Sequence, residues 1–210
     1  MQYDMLFILK KMGSFVLYAA VVAAFTSFLF IDLHFLHDIV KESSLTEVAQ
    51  ELVLAAIVAL HLWLMRNPAL RASSLLVAGF FACMLVREMD FAFDAIRHGS
   101  WFWVATAIAL VCLAFAAADA KRALRGLAGY FGHPSYGLVC AGLLNVLVFS
   151  RLMGIGELWR SLLDENYLRA IKNAVEEGSE LFGYCLCLLA TLSYTVDKQR
   201  SGRAEPHRPV

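Results

Sequence analysis

The chain has 210 residues, of which 60% are hydrophobic and 17% are charged, and its mean hydropathy is +0.64. Soluble domains are about half apolar and about a quarter charged, so this composition excludes an ordinary water-soluble domain. The 18 basic and 18 acidic residues cancel to a net charge of +0, which leaves no global positive field of the kind that attracts nucleic acid. The totals therefore predict a membrane protein.

Six apolar segments are long enough to form membrane-spanning helices. In chain order they cover residues 14–31, 48–65, 73–89, 101–118, 136–151 and 178–196. The second helix is expected to begin near Ser44, because Ser44 and Glu47 match a capping box, and to end at the turn around Pro68. Trp101 and Trp103 suit an aromatic anchor at a membrane interface. The predicted fold is all-α, a polytopic bundle of six transmembrane helices.

Residues 119–135, between the fourth and fifth spans, are expected to form a loop, and two other segments outside the spans have a distinct character. Residues 158–175 mix apolar and charged side chains, which is typical of an interfacial amphipathic helix. Residues 197–210 contain Pro206 and Pro209 and show no apolar periodicity, so they predict a disordered tail. Residues 1–196 then form a single transmembrane domain.

The five cysteines all lie inside apolar stretches, where a thiol behaves as a small hydrophobic group. They are Cys83, Cys112, Cys140, Cys185 and Cys187. No CxxC pair occurs, and Cys185 and Cys187, two residues apart, do not share a helix face. A disulfide framework and a structural zinc site are therefore not expected.

The charged residues divide unevenly between the two sides of the predicted bundle. Most of the lysines and arginines fall on the side that holds both termini, and the positive-inside rule places that side in the cytoplasm. Most of the acidic residues fall on the other side. A protein of this topology would carry its polar site at the outer membrane face.

Acidic residues from three predicted helices converge on that outer face. Ionisable groups at the edge of a hydrocarbon layer are costly, so they indicate either partners or a function. The predicted general acid or base groups are Glu51, Glu88, Asp90 and Glu180. Arg87, beside them, is predicted to bind an anionic lipid headgroup.

A divalent metal ion is the cofactor that the same cluster suggests. Asp90, Asp94 and His98 are spaced four residues apart, so they form one polar ridge if the third helix continues through them. Carboxylate and imidazole groups at this spacing can hold a divalent metal. The predicted ligands are Asp94 and His98, together with Glu177 of the last helix. Haem is not expected, because His61 has no second histidine inside a span to complete an axial pair.

Three interpretations of the charged cluster stay open. In the first, Arg87, Arg97 and Arg151 neutralise the acids and only join helix ends, as in a non-catalytic assembly subunit. In the second, the cluster is a metal-binding or hydrolytic site for a lipid or lipid-linked substrate. In the third, it belongs to a small ion- or proton-coupled permease, which requires a polar path that continues inward. The expected partners are membrane lipid and a second membrane subunit, either a copy of this chain or another protein, and no nucleic acid.

Three short motifs carry a resemblance to a group of known proteins. They are Arg87-Glu88-Met89-Asp90, the stretch from Thr46-Glu47 to Glu51, and Glu176-Glu177 to Glu180-Leu181. In these motifs the chain resembles small, uncharacterised bacterial multi-pass inner-membrane proteins with an Arg-Glu-x-Asp helix end and a Glu-Glu-x-x-Glu-Leu last-helix start. The resemblance covers about helices two to six. It implies a multi-pass topology and an inner-membrane location, and it transfers no catalytic residue.

Overall fold

The computed structural model describes residues 2–32, 34, 44–95, 97–163 and 169–204. Within these ranges every regular element is helical, which confirms the predicted all-α class. In chain order the helices are α1 (Gln2–Ile31), α2 (Leu45–Leu64), α3 (Arg71–Glu88), α4 (Asp90–Asp94), α5 (Ser100–Ala118), α6 (Ala120–Phe131), α7 (Tyr136–Met153), α8 (Gly156–Leu163) and α9 (Arg169–Ala204). A π-helical turn interrupts α7 at Asn145–Phe149.

Five helices in the described part of the chain are long and apolar enough to cross a membrane: α1, α2, α5, α7 and α9. The 18-residue helix α3 is not among them, and it carries charged residues at its ends, namely Arg71, Arg87 and Glu88. The chain therefore has the apolar helices of a membrane-embedded protein. The predicted count of six spans is not confirmed.

The last helix differs most from its predicted bounds. It begins at Arg169, so the glutamates at 176–180 lie about two turns inside α9 and not at its start. The interfacial helix predicted at 158–175 is divided between α8 and the first turns of α9, with residues 164–168 outside the described ranges. Because α9 contains no proline, it continues to Ala204, and residues 197–204 of the predicted tail are helical. Residues 205–210 lie outside the described part.

Helix α6 occupies a segment that the sequence predicts to be a loop at 119–135. Asp119 caps it, since its Oδ1 accepts a hydrogen bond from the Arg122 N–H at 3.3 Å. Ala123 and Tyr130 face the core, whereas Lys121 and Arg122 are exposed. This amphipathic pattern is typical of a helix that lies against the bundle with its charged side outward.

Helices α9 and α3 organise the packing. Helix α9 packs against α1, α2 and α7, and α3 packs against α2, α5 and α6. Helices α2 and α9 run in the same direction, because Glu47 and Glu180 line one cavity, and Leu64 and Lys198 line another. We call the Glu47 and Glu180 end the cavity end, and the Leu64 and Lys198 end the opposite end. Between them lies an apolar core that includes Val53, Leu54, Ile57, Phe81, Met84, Val146 and Cys187.

Helices α7 and α9 touch through their backbones at Gly142 and Gly183. A Cβ atom at Gly142 would lie 2.6 Å from the Gly183 carbonyl oxygen and 2.7 Å from Cys187 Sγ. Since both positions are closer than van der Waals contact, Gly142→Ala is expected to lower the free energy of unfolding by about 1–3 kcal/mol. The measurement is denaturant unfolding of the purified chain in detergent.

The matched control for this substitution is Gly137→Ala on the same helix. A Cβ atom at Gly137 would meet nothing within 4 Å. Alanine is favoured over glycine in a helix, so we expect this variant to be neutral or more stable by up to about 1 kcal/mol. Equal losses at Gly142 and Gly137 would contradict the close backbone contact.

Candidate functional site

A polar cavity of about 220 Å³ lies at the cavity end, where α2, α3, α7 and α9 meet. Its lining residues are Glu47, Gln50, Arg87, Glu88, Arg151, Asn173, Glu176, Glu177 and Glu180. Five of these nine side chains are glutamates and two are arginines, so carboxylates outnumber guanidinium groups in the lining. This is the convergence of acids from the second, third and last helices that the sequence predicts.

The N-terminus of α2 positions Glu47. The Ser44 hydroxyl accepts a hydrogen bond from the Glu47 N–H at 3.1 Å, which confirms the predicted helix start. Asp32, which follows α1 and is 1% exposed, accepts hydrogen bonds from the N–H groups of Leu45 at 3.0 Å and Thr46 at 2.8 Å. The positive end of the helix dipole stabilises this buried carboxylate, and Asp32 thereby joins α1 to the start of α2.

Gln50 fixes α2 against α9 beside the cavity. Its Nε2 donates a hydrogen bond to the Glu177 carbonyl oxygen at 3.0 Å. The predicted site residue Glu51 is half-buried on the same helix, but it is not part of the cavity lining. Glu51 follows Glu47 by one helical turn on the same face of α2, and the Glu88 carboxylate is among its electrostatic neighbours, so it lies next to the cavity without lining it.

Two polar contacts hold Glu88 at the end of α3. Arg87 Nη1 lies 3.0 Å from Glu88 Oε1, and the hydroxyl of Tyr184 on α9 donates to the same oxygen at 2.7 Å. Tyr184 is fully buried, so this bond anchors the end of α3 to the core. The Arg87 side chain remains 38% exposed and lines the cavity, so a ligand can reach it.

Arg151 joins two glutamates of α9. Its guanidinium forms ion pairs with Glu180 and, at 3.4 Å, with Glu176. The side chain of Glu180 is 5% exposed and also accepts a hydrogen bond from the Ser150 hydroxyl at 3.2 Å. Glu176 has a second partner in Lys172, one helical turn away, at 2.8 Å. Both carboxylates are therefore neutralised locally.

Glu177 has a different environment from the other glutamates of α9. It is half-buried, and the carboxylates of Glu47 and Glu176 are among its electrostatic neighbours. Within the described ranges no basic side chain lies at ion-pair distance from Glu177, because Lys172 and Arg151 pair with other residues. The Lys172 ammonium opposes these carboxylates from a longer distance, but like charges predominate around Glu177.

The remaining predicted residues lie outside the lining. Helix α3 ends at Glu88, and Asp90–Asp94 is a separate short helix, so the third helix does not continue through Asp90, Asp94 and His98 as predicted. Asp94 instead closes the turn that follows. It accepts a hydrogen bond from the Gly99 N–H at 2.8 Å, and its Oδ2 lies 2.7 Å from His98 Nδ1. These contacts, first that of Gly99, hold the pKa of the Asp94 carboxyl below its ordinary value.

The predicted metal ligands are not brought together. Glu177 lines the cavity, whereas Asp94 and His98 contact each other outside its lining. Among the residues whose positions are described, no group of three or more His, Cys, Asp or Glu side chains is arranged to hold a metal ion. The physical reason is that α3 ends at Glu88. Asp94 and His98 therefore do not continue the face of α3 that carries Glu88.

Several residues of the site were not among those predicted from the sequence. Gln50 and Tyr184 could have been found from helix spacing. Gln50 follows Glu47 by three residues and Tyr184 follows Glu180 by four, and residues at these spacings share a helix face. The role of Asp32 depends on a contact between two helices, which has no local sequence signal. Comparisons with protein-family models, curated proteins and solved structures give no match to this chain.

Proposed function

We propose that the chain is a multi-pass membrane protein whose cavity binds the polar group of a lipid or lipid-linked substrate and supplies acid–base groups for its hydrolysis. The supporting observation is the lining itself, with five glutamates and two arginines at the ends of apolar helices. Headgroups of membrane lipids lie where spanning helices leave the hydrocarbon layer. Ionisable groups there are costly, so a lining with more carboxylates than bases favours a function over simple neutralisation.

The contacts suggest a division of roles within the cavity. Arg87 binds the anionic part of the headgroup with the exposed part of its guanidinium. Glu177, which has no ion pair in the described part, takes a proton from the attacking water and returns it to the leaving oxygen. Glu88 and Glu180, each held by neighbouring side chains, orient the water and the substrate.

We further propose that the cavity faces the outside of a bacterial inner membrane and that both termini are cytoplasmic. The charge distribution supports this orientation, because the cavity end carries the glutamates and the exposed face of α6 carries Lys121, Arg122 and Arg125. Helix α3 would be the sixth span. Its 18 residues reach about 27 Å, close to the thickness of the hydrocarbon layer.

Two alternatives make different predictions. A permease needs a polar path from the cavity to the opposite end, and the apolar core around Val53, Ile57, Phe81 and Val146 argues against one. An assembly subunit would use the ion pairs only to join helix ends. In that case any loss of function in Arg87→Gln would be matched by an equal loss in the free energy of unfolding.

Lipid turnover tests the proposal. The purified chain is placed in nanodiscs made from a total lipid extract of a bacterial inner membrane, and the lipids are followed by mass spectrometry. We expect the wild type to consume a lipid species and Glu177→Gln to slow this at least about 100-fold, the usual contribution of a general base. Glu157→Gln is the matched control, because Glu157 is exposed on α8 outside the lining. No turnover by the wild type, or equal turnover by Glu177→Gln, would contradict the proposal.

A further inference from the structure

An open notch of about 280 Å³ lies at the opposite end, between the turn that joins α2 to α3 and the last two turns of α9. The polar side chains of its lining are Arg66, Asn67, Lys198 and Gln199, and the rest of the lining is apolar or aromatic. Both charged residues are basic, and no aspartate or glutamate of the described ranges lines the notch. Its charge is therefore opposite to that of the glutamate cavity.

Hydrogen bonds hold the turn that carries Arg66 and Asn67. The Arg66 N–H donates to the Trp63 carbonyl oxygen at 3.2 Å, and the Asn67 N–H donates to the Leu64 carbonyl oxygen at 3.1 Å. The Asn67 Oδ1 accepts a hydrogen bond from the Ala69 N–H at 3.0 Å, which leaves the amide N–H groups of this side chain as donors for a ligand. The backbone of the turn is thus fixed before a ligand binds.

Tyr194 positions Lys198 on the other side of the notch. The Lys198 ammonium lies 5.3 Å from the centroid of the Tyr194 ring, one helical turn earlier on α9, which is the geometry of a cation–π contact. Tyr194 is 2% exposed and belongs to the same buried cluster as Leu64. This packing joins α9 to the end of α2, so the two basic residues are held at one site.

Neither basic residue of the notch has an acidic partner in the part of the chain that the structure describes. Arg66 and Lys198 take part in no ion pair there. Asp197, the acid next to Lys198 in the sequence, lies with its Oδ2 3.3 Å from His133 Nε2 and lines a different cavity. Two positive charges that share a notch repel each other, and a bound anion relieves that repulsion.

The donor groups of the notch match a phosphate group. Guanidinium and ammonium groups only donate, and the amides of Asn67 and Gln199 add further N–H donors, whereas phosphate oxygens accept. A guanidinium can bind two phosphate oxygens at once. Trp63, which is 36% exposed, borders the notch, and tryptophan in membrane proteins is enriched at the level of the lipid headgroups. The notch thus combines phosphate-binding side chains with an interfacial residue.

We propose that this notch binds a phosphate group, with the Arg66 guanidinium and the Lys198 ammonium as its main ligands and the amides of Asn67 and Gln199 as additional donors. The phosphate is that of a phospholipid headgroup or that of a free phosphate ion. Binding is noncovalent, and no bond of the ligand is broken. This inference is independent of lipid turnover at the glutamate cavity, because the two sites share no residue.

Titration calorimetry of the delipidated full chain in detergent, at constant ionic strength, tests the proposal. The probes are dihexanoyl phosphatidylglycerol and inorganic phosphate, with uncharged dihexanoylglycerol as the reference. We expect saturable binding of a phosphate probe and none of the reference. Arg66→Gln and Lys198→Gln are each expected to weaken binding about tenfold, the loss of one charge-assisted hydrogen bond. Arg66 is exposed in a turn, so its variant is expected to fold.

Two control variants separate the notch from other sources of binding. Arg200→Gln removes the same charge from an exposed position two residues after Lys198, and Arg87→Gln changes the glutamate cavity. We expect both to bind the probe as the wild type does. Tighter binding of phosphatidylglycerol than of phosphate identifies a lipid headgroup as the ligand, and equal binding identifies the free ion. Failure of both phosphate probes to bind, or an equal loss in Arg66→Gln and either control, would overturn the proposal.

Discussion

Arg151→Leu is expected to lower the free energy of unfolding by about 3–5 kcal/mol, the usual result of leaving a buried charge without its partner. Arg151 pairs with Glu180, whose side chain is 5% exposed, and with Glu176. After the substitution Glu176 keeps Lys172, but Glu180 keeps only the Ser150 hydroxyl among the partners described here. The loss therefore comes chiefly from Glu180. Denaturant unfolding in detergent measures it.

A second substitution separates this effect from lost packing. Glu180→Gln in the Arg151→Leu background removes the unpaired charge, so we expect it to restore most of the stability. Arg122→Leu is the matched control, because Arg122 pairs with Asp119 at 3.0 Å on the surface, where such pairs contribute at most about 1 kcal/mol. Similar losses for Arg151→Leu and Arg122→Leu, or no recovery with Glu180→Gln, would contradict a buried ion pair at the cavity.

Single-cysteine labelling in whole cells is expected to give opposite results at the two ends of α3. His98→Cys, at an exposed position beyond the cavity end of α3, should react with a membrane-impermeant maleimide from outside. Asn67→Cys, exposed in the turn before α3, should react only after the cells are opened. The reason is that α3 has the length to cross the hydrocarbon layer between these positions.

The labelling experiment needs a background without the five native cysteines, which are buried or half-buried. Two further positions serve as references: Glu157→Cys is expected on the side of His98, and Arg125→Cys on the side of Asn67. Labelling of Asn67→Cys and His98→Cys from the same side would mean that α3 does not cross. The chain would then have five spans, with its termini on opposite sides.

The helical class could be predicted from the sequence because the length of an apolar run is a local property. The ends of helices that lie within charged segments could not be predicted in this way, and α9 is the clearest case. Its first turns contain an ion pair between Lys172 and Glu176, which are spaced four residues apart and stabilise the helix. These charged residues interrupt the apolar pattern from which the start of the helix was predicted. The amphipathic helix α6 escaped prediction for the same reason.

The candidate site could be predicted only in part. Arg87, Glu88, Glu177 and Glu180 line the cavity as a group, because their helices end or enter at the same side of the bundle. The spacing of a helix gives the face that a residue shares but not how far along the helix a cavity extends or how the helix is rotated, so the sequence predicted Glu51 at the site and missed Gln50. The packing of Ala49 against Leu181 and Cys185 fixes the rotation of α2. These residues are far apart in the sequence, so the contact has no local sequence signal.

Asp90, Asp94 and His98 were predicted at the site because no proline or glycine marks the end of α3 at Glu88. The ion pair between Arg151 and Glu180 and the hydrogen bond from Tyr184 to Glu88 likewise join helices that are distant in sequence. Without related sequences these pairings have no signal. These contacts hold the helices together so that their acidic residues line one cavity.

Thermal unfolding of Glu177→Gln is the most direct test of whether the cavity glutamates are kept for a ligand. Glu177 has carboxylate neighbours in Glu47 and Glu176 and no ion pair with a described residue. Removing one of several like charges relieves repulsion, so we expect a melting temperature about 2–4 °C higher, equivalent to roughly 1 kcal/mol. A lower melting temperature, as expected for Arg151→Leu, would contradict a binding role and make Glu177 part of a structural joint.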